Sequence, residues 1–159
     1  MTEAVKVRGV FIGSGRPKIC VPIVAATRQE LVSQAEKLRD VPFDLVEWRA
    51  DWYEDGTCRE KVIQALKDLR NSLGNVPLLF TFRGKQEGGE RELDAKEYLE
   101  LTLQAAVSGT VDLVDLELFT GLKAGRELFI DVIRRIKQQG VTIIMSSHDF
   151  SKTPDSKEL

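Results

Sequence analysis

Two stretches of this chain concentrate side chains that can move protons. Thr81-Phe82-Arg83-Gly84-Lys85-Gln86-Glu87-Gly88-Gly89 sets Arg83 and Glu87 just past an apolar run, and the only histidine, His148, closes another such run in Ser146-Ser147-His148-Asp149-Phe150. A histidine near its ordinary pKa of about 6.5 can take up and return a proton at neutral pH, and nearby arginines keep carboxylates ionised. Apolar strands that present Arg, Glu and His at their C-terminal ends build an α/β active site more readily than a binding groove or a scaffold.

The elements that would carry these groups follow from hydrophobic periodicity. Five short apolar runs have strand character, at Lys18–Ala25, Asp44–Asp51, Pro77–Arg83, Val111–Leu118 and Val141–Phe150. Between them, Arg28–Arg39, Cys58–Leu73, Ala95–Val107 and Ala124–Gln138 repeat their apolar residues with helical spacing. Thr27 with Glu30, and Thr57 with Glu60, have the spacing of capping boxes, while Gly74 and Gly140 follow helix ends. Strand and helix therefore alternate, which predicts a parallel sheet with right-handed crossovers. Ahead of the repeat, Val5–Ile12 and the turn Gly13-Ser14-Gly15-Arg16-Pro17 suggest a small hairpin, a lid or plug if functional and decoration if not. The expectation is a single domain over residues 1–159, with residues 1–17 as its hairpin.

Residue parity along the strands separates a barrel from an open sheet. Val46, Trp48 and Ala50 oppose Leu45, Glu47, Arg49 and Asp51, while Leu78, Phe80 and Phe82 oppose Leu79, Thr81 and Arg83. Likewise Val114, Leu116 and Leu118 oppose Leu113, Asp115 and Glu117, and Ile143, Met145 and Ser147 oppose Thr142, Ile144, Ser146 and His148. One parity is apolar and the other turns charged toward the C-terminal end. A doubly wound sheet would bury Glu47, Asp115 and Glu117 under helices at a cost of several kcal/mol each unless paired. A (β/α) TIM-type barrel, whose interior opens at that end, removes the conflict.

Bulk properties exclude several classes. The chain is 42% hydrophobic and 30% charged, with 23 basic against 25 acidic groups and a net charge of −2, so nothing in it calls for nucleic acid or an anionic membrane. It begins Met1-Thr2-Glu3-Ala4-Val5-Lys6, without an apolar signal core, and no apolar run approaches the roughly 18 residues of a membrane span. Cys20 and Cys58 are far apart and form no C-x-x-C, which reads as reduced thiols of a cytoplasmic protein. One histidine with two scattered cysteines is a poor metal set, and Gly88-Gly89 lacks the spacing of a nucleotide fingerprint.

Four motifs occur in order: Asp44-Leu45-Val46-Glu47-Trp48-Arg49-Ala50-Asp51, Thr81-Phe82-Arg83-Gly84-Lys85-Gln86-Glu87-Gly88-Gly89-Glu90, Asp112-Leu113-Val114-Asp115-Leu116-Glu117 and Ser146-Ser147-His148-Asp149-Phe150-Ser151-Lys152-Thr153-Pro154. Together they closely resemble the type I 3-dehydroquinate dehydratases of the shikimate pathway. The resemblance implies an eight-stranded barrel, usually dimeric, with an N-terminal hairpin across its base. It implies dehydration of 3-dehydroquinate to 3-dehydroshikimate through a lysine Schiff base, with no metal or organic cofactor, an iminium serving as electron sink. Carried over by motif, His148 is the general acid/base and Glu87 the carboxylate that orients it, while Glu47, Arg49 and Arg83 line the pocket and bind substrate hydroxyls. Asp115 and Glu117 read as structural partners of those arginines.

The family's Schiff-base lysine lies on a strand after the histidine strand, followed by an arginine for the substrate carboxylate and a Ser/Gln loop, and this sequence stops at Leu159. Lys152 sits in the loop after the histidine and does not match that nucleophile. About five of the eight strands are accounted for. The expectation is therefore a family member whose 159-residue chain is inactive alone. Two alternatives stand beside it: a half-barrel that associates through its open sheet edge, and another Schiff-base lyase or aldolase on the same scaffold.

Overall fold

The computed structural model describes residues 4–153, so the ends of the predicted domain and Pro154 of the fourth motif lie outside the described residues. Strands β1 (Val5–Val7) and β2 (Val10–Ile12) form the expected antiparallel hairpin. There follow β3 (Cys20–Ile23), α1 (Arg28–Lys37), β4 (Leu45–Arg49), α2 (Arg59–Leu73), β5 (Leu78–Thr81), α3 (Ala95–Val107), β6 (Leu113–Glu117), α4 (Leu118–Lys123), α5 (Arg126–Gln138) and β7 (Thr142–Ser146). The five longer-range strands pair in the order β3-β4-β5-β6-β7, every pair parallel. Each crossover thus returns to the neighbouring position, the winding of a (β/α) barrel and not of a doubly wound sheet, whose strand order reverses.

The two parities meet different surroundings. Val46, Trp48, Leu78, Phe80, Val114 and Leu116 are fully buried in one continuous core with Leu31, Leu66, Leu69, Leu99 and Phe129 of the helices. Each such side chain contributes about 1.5–3 kcal/mol by leaving water. On the inward parity, the first residues Leu45, Leu79 and Leu113 form a separate small cluster with Val7 of the hairpin, against which Ile12 packs. The hairpin therefore plugs the base of the barrel and leaves the opposite mouth open.

That plug is also tied by charge. The guanidinium of Arg8 donates to Asp112 at 2.7 Å and to Asn75 at 2.8 Å. Asp112 accepts in addition from Arg70 at 2.7 Å and from the Leu78 amide at 2.9 Å, and Arg70 donates further to the carbonyls of Thr110, Gly74 and Val76. The end of α2, the start of β5 and the start of β6 are thereby joined at one point.

Of the local expectations, one capping box holds and several others are corrected. Thr27 caps α1 in a full capping box with Glu30. Thr57 does not cap α2: a turn from Cys58 N to the Asp55 carbonyl delays the helix, Cys58 takes the N-cap position without a side-chain bond, and Glu60 falls one residue short of the position a box requires. The segment predicted as one helix over 124–138 is preceded by the separate helix α4, where Gly121 lies so close to the Phe129 ring that an added Cβ would stand 2.2 Å from it. The predicted strand over 141–150 pairs only through Ser146, and Met145 on its outward parity is 46% exposed, because β7 is the last strand of the described sheet. Among the described residues no helix is long and apolar enough to cross a membrane.

Candidate active site

The strand ends bring the predicted residues to one mouth. Glu87, in the single turn Lys85–Glu87 after β5, accepts two hydrogen bonds on the same Oε2 atom, from His148 N at 3.0 Å and in a contact with His148 Nδ1 at 2.9 Å. The Glu87 side chain is 8% exposed and that of His148 39%. The carboxylate is therefore shielded while the ring reaches solvent at the rim. Because an ionised carboxylate can only accept, this contact favours the tautomer with the hydrogen on Nδ1 and Nε2 as the basic nitrogen.

The turn that delivers Glu87 depends on the Gly88-Gly89 pair. Gly88 closes it in the left-handed region at φ 86, and a Cβ on Gly89 would stand 1.9 Å from the Arg83 carbonyl oxygen. The aromatic ring of Phe150 lies over Gly88 and spans the two loops that carry Glu87 and His148. These glycines serve a tight turn.

Beneath the pair lies Arg83, whose side chain is 9% exposed. Its guanidinium meets Asp115 and Glu117 at 3.1 Å each and Glu87 at 3.6 Å, and it donates to Ser146 Oγ at 2.9 Å. Ser146 in turn donates to Asp115 at 2.8 Å. Burial pulls the Arg83 pKa down, but Asp115 and Glu117 more than offset it and leave it above its ordinary value. Burial pushes the Asp115 carboxyl up, against the opposing pull of Arg83 and the Ser146 hydroxyl.

On the other side of β5, Asp51 is fully buried and grips Arg49 through Nε and Nη2 at 2.8 Å each. The same carboxylate accepts from the backbone of Arg83 at 3.3 Å and of Glu90 at 3.2 Å. This bidentate bond raises the Arg49 pKa. Glu47, half-buried one step down β4, acts on Arg49 and on Cys20. The Cys20 thiol, raised first by burial and then by Glu47, reaches about 11. Thr81, beside Arg49 in the register, is fully buried, and its hydroxyl has no hydrogen-bond partner among the described residues.

The mouth thus gathers Glu47, Arg49, Arg83, Glu87 and His148, all of the predicted site residues. Sequence reasoning left Asp51 and Ser146 without a role, although both stand on the inward parity. Tyr98 and Thr120 come from helices, where no strand pattern could have marked them: the Tyr98 hydroxyl accepts from the Glu117 amide at 2.8 Å and Thr120 donates to the Glu117 carboxylate at 2.7 Å. No cluster of three or more metal-ligating side chains occurs among the described residues.

Compared with known proteins, residues 19–159 match the profile of the family described as Type I 3-dehydroquinase. The chain belongs to that family. It is 46% identical over 159 residues to a 3-dehydroquinate dehydratase of Clostridium botulinum and 41% identical to one of Klebsiella pneumoniae, covering all of this chain and 61% and 62% of those proteins. A crystal structure of the type I 3-dehydroquinate dehydratase of Clostridium difficile, carrying a covalently modified comenic acid, superposes with a TM-score of 0.91 at 39% identity, over 99% of this chain and 61% of that one. The enzyme of Enterococcus faecalis gives a TM-score of 0.88 at 38% identity, over 97% and 62%. The chain thus spans about 61% of the length of these type I 3-dehydroquinases, and its five strands are those of their (β/α) barrel.

Proposed function

We propose that this chain carries the proton-transfer half of a 3-dehydroquinate dehydratase site, acting in a soluble, cytoplasmic enzyme of the shikimate pathway. The observation that carries the reading is the His148–Glu87 pair, 2.9 Å apart at the open mouth of the barrel. Once the substrate ketone is held as an iminium by a lysine amine, the neighbouring C–H becomes acidic. Nε2 of His148 removes that proton and then returns it to the departing hydroxyl, which leaves as water. Glu87 holds the ring in the tautomer that this requires and stabilises the imidazolium as it forms.

The electrostatics of the mouth support the same chemistry. The carboxylates Glu47, Asp51, Glu87, Asp115 and Glu117 outnumber the guanidinium groups of Arg49 and Arg83. An acidic, partly water-excluded bowl favours a cationic intermediate over the neutral ketone. Glu47 and Arg49, both half-buried, are the groups offered to substrate hydroxyls, whereas Arg83 spends most of its donors inside the protein. None of the described strands carries a lysine on its inward parity.

Diethylpyrocarbonate modification tests the reading, because a single histidine makes the site of reaction unambiguous. 3-Dehydroquinate should protect His148 from the reagent, and cyclohexanone, which has the ketone without hydroxyls or carboxylate, should not. Equal rates with and without 3-dehydroquinate contradict it. With borohydride present, no reduced adduct is expected on any lysine among the described residues.

A second reading, association with another copy, draws on the uncovered side of β7. Ile144 is 38% exposed and Met145 and Ile130 are 46% exposed, and an unpaired strand edge invites pairing. A dimer or larger species by light scattering supports this, and a clean monomer opposes it.

A further inference from the structure

Glu117 has no role in the proton transfer described above, yet with Asp51 it is one of the two fully enclosed acids of the site, at 0% exposure. Its Oε1 accepts from the Gly84 amide at 2.8 Å and from Arg83 Nη1 at 3.1 Å, and its Oε2 accepts from Thr120 at 2.7 Å. Its own amide is held by the Tyr98 hydroxyl at 2.8 Å. Every atom of this carboxylate is fixed by a different element, and what it fixes in turn is the first residue of the turn leading to Glu87.

Arg83 Nη1 stands between two acids. It is 3.1 Å from Glu117 Oε1 and 3.6 Å from Glu87 Oε2, the atom that His148 uses twice. A guanidinium released from Glu117 needs to close the 3.6 Å gap by only about 0.7 Å to form a full charge-assisted bond with Glu87, in direct competition with the imidazole. We propose that Glu117 is a positioning residue for the His148–Glu87 pair, holding Arg83 back so that Glu87 Oε2 remains committed to the histidine. The proposal rests on reading His148 as the acid/base, since it concerns which ring nitrogen is left basic. A bond from Nδ1–H to Glu87 favours the tautomer with Nε2 free, whereas capture of Glu87 by Arg83 removes that preference.

The test reads the tautomer and not turnover. In 15N-labelled chain the two nitrogens of the sole imidazole are resolved by long-range proton–nitrogen correlation at a pH where the ring is neutral. Wild type should hold the hydrogen on Nδ1. Glu117→Gln should move the ratio about fivefold toward Nε2–H, the change expected on losing one net hydrogen bond. Thr120→Val, which removes only the donor to Oε2, should move it in the same direction by less, and it decides the matter if Glu117→Gln fails to fold. Glu100→Gln, at an exposed ion pair with Arg59, is the control and should leave the ratio unchanged. A wild-type ratio in folded Glu117→Gln, or in Thr120→Val where the first variant does not fold, overturns the proposal. Failure of the dehydratase reading would instead appear as indifference of His148 to 3-dehydroquinate, with the tautomer result standing by itself.

Discussion

Arg83→Met removes the one guanidinium shared by Glu87, Asp115 and Glu117, whose side chains are 8%, 6% and 0% exposed. Breaking a buried ion pair from one side costs about 3–5 kcal/mol, because the remaining charge stays buried without its partner. Methionine restores some apolar packing, worth about 1 kcal/mol, so a net loss of about 2–4 kcal/mol is expected near neutral pH. For a domain of this size that corresponds to a fall in Tm of about 10 °C. The loss should also depend on pH with a definite sign. Burial already raises the Asp115 carboxyl with Arg83 in place, so the native state binds this proton more tightly than the unfolded chain does. Stability from such a group is present at low pH and lost as pH rises through the folded-state value. Without Arg83 the effect grows, so the deficit should be widest at about pH 7.5 and should narrow below about pH 5. Urea unfolding followed by circular dichroism measures both. A deficit under about 1 kcal/mol at neutral pH, or one of equal size at both pH values, would refute the reasoning.

The remaining predictions concern other parts of the same frame. Cys20, with its thiol raised to about 11, should react with iodoacetamide at pH 8 roughly a hundredfold more slowly than a small free thiol, as read by peptide mass spectrometry. Asp112→Ala removes the acceptor of Arg8, Arg70 and the Leu78 amide and should cost about 3 kcal/mol. Its signature is faster amide exchange of the hairpin than of β4–β6. Gly88→Ala places a Cβ at φ 86 and 2.8 Å from the Phe150 ring, costing about 1–2 kcal/mol. The His148 imidazole resonances should shift with it, whereas unchanged resonances would show that Phe150 does not couple the two loops.

Much of this arrangement is legible in the sequence because strands impose a two-residue period. Glu47, Arg49, Arg83, Asp115, Glu117 and Ser146 fall on the inward parity in the structure as they do in the sequence. Parity also separates barrel from open sheet, since only a barrel offers those acids an uncovered mouth. What stays hidden is decided by packing between distant elements. The cap of α2 shifts because a turn at Asp55–Cys58 intervenes, and α4 escapes notice because its six residues are too few to show a helical period and its Gly121 packs against the distant Phe129 ring. The division of labour between Arg49 and Arg83 is hidden for the same reason. Both stand at strand ends, but only the three-dimensional arrangement commits Arg83 to internal acids.

The central claim is that the inward groups of these strands form one substrate bowl with His148 and Glu87 at its rim. Titration of 3-dehydroquinate into 15N-labelled chain tests it most directly. The account predicts amide and imidazole shifts confined to Glu47, Arg49, Arg83–Glu87 and His148, with the hairpin and the outer faces of the helices unchanged. Shifts at the hairpin or on the outer faces of the helices, or none at saturating ligand, would contradict it.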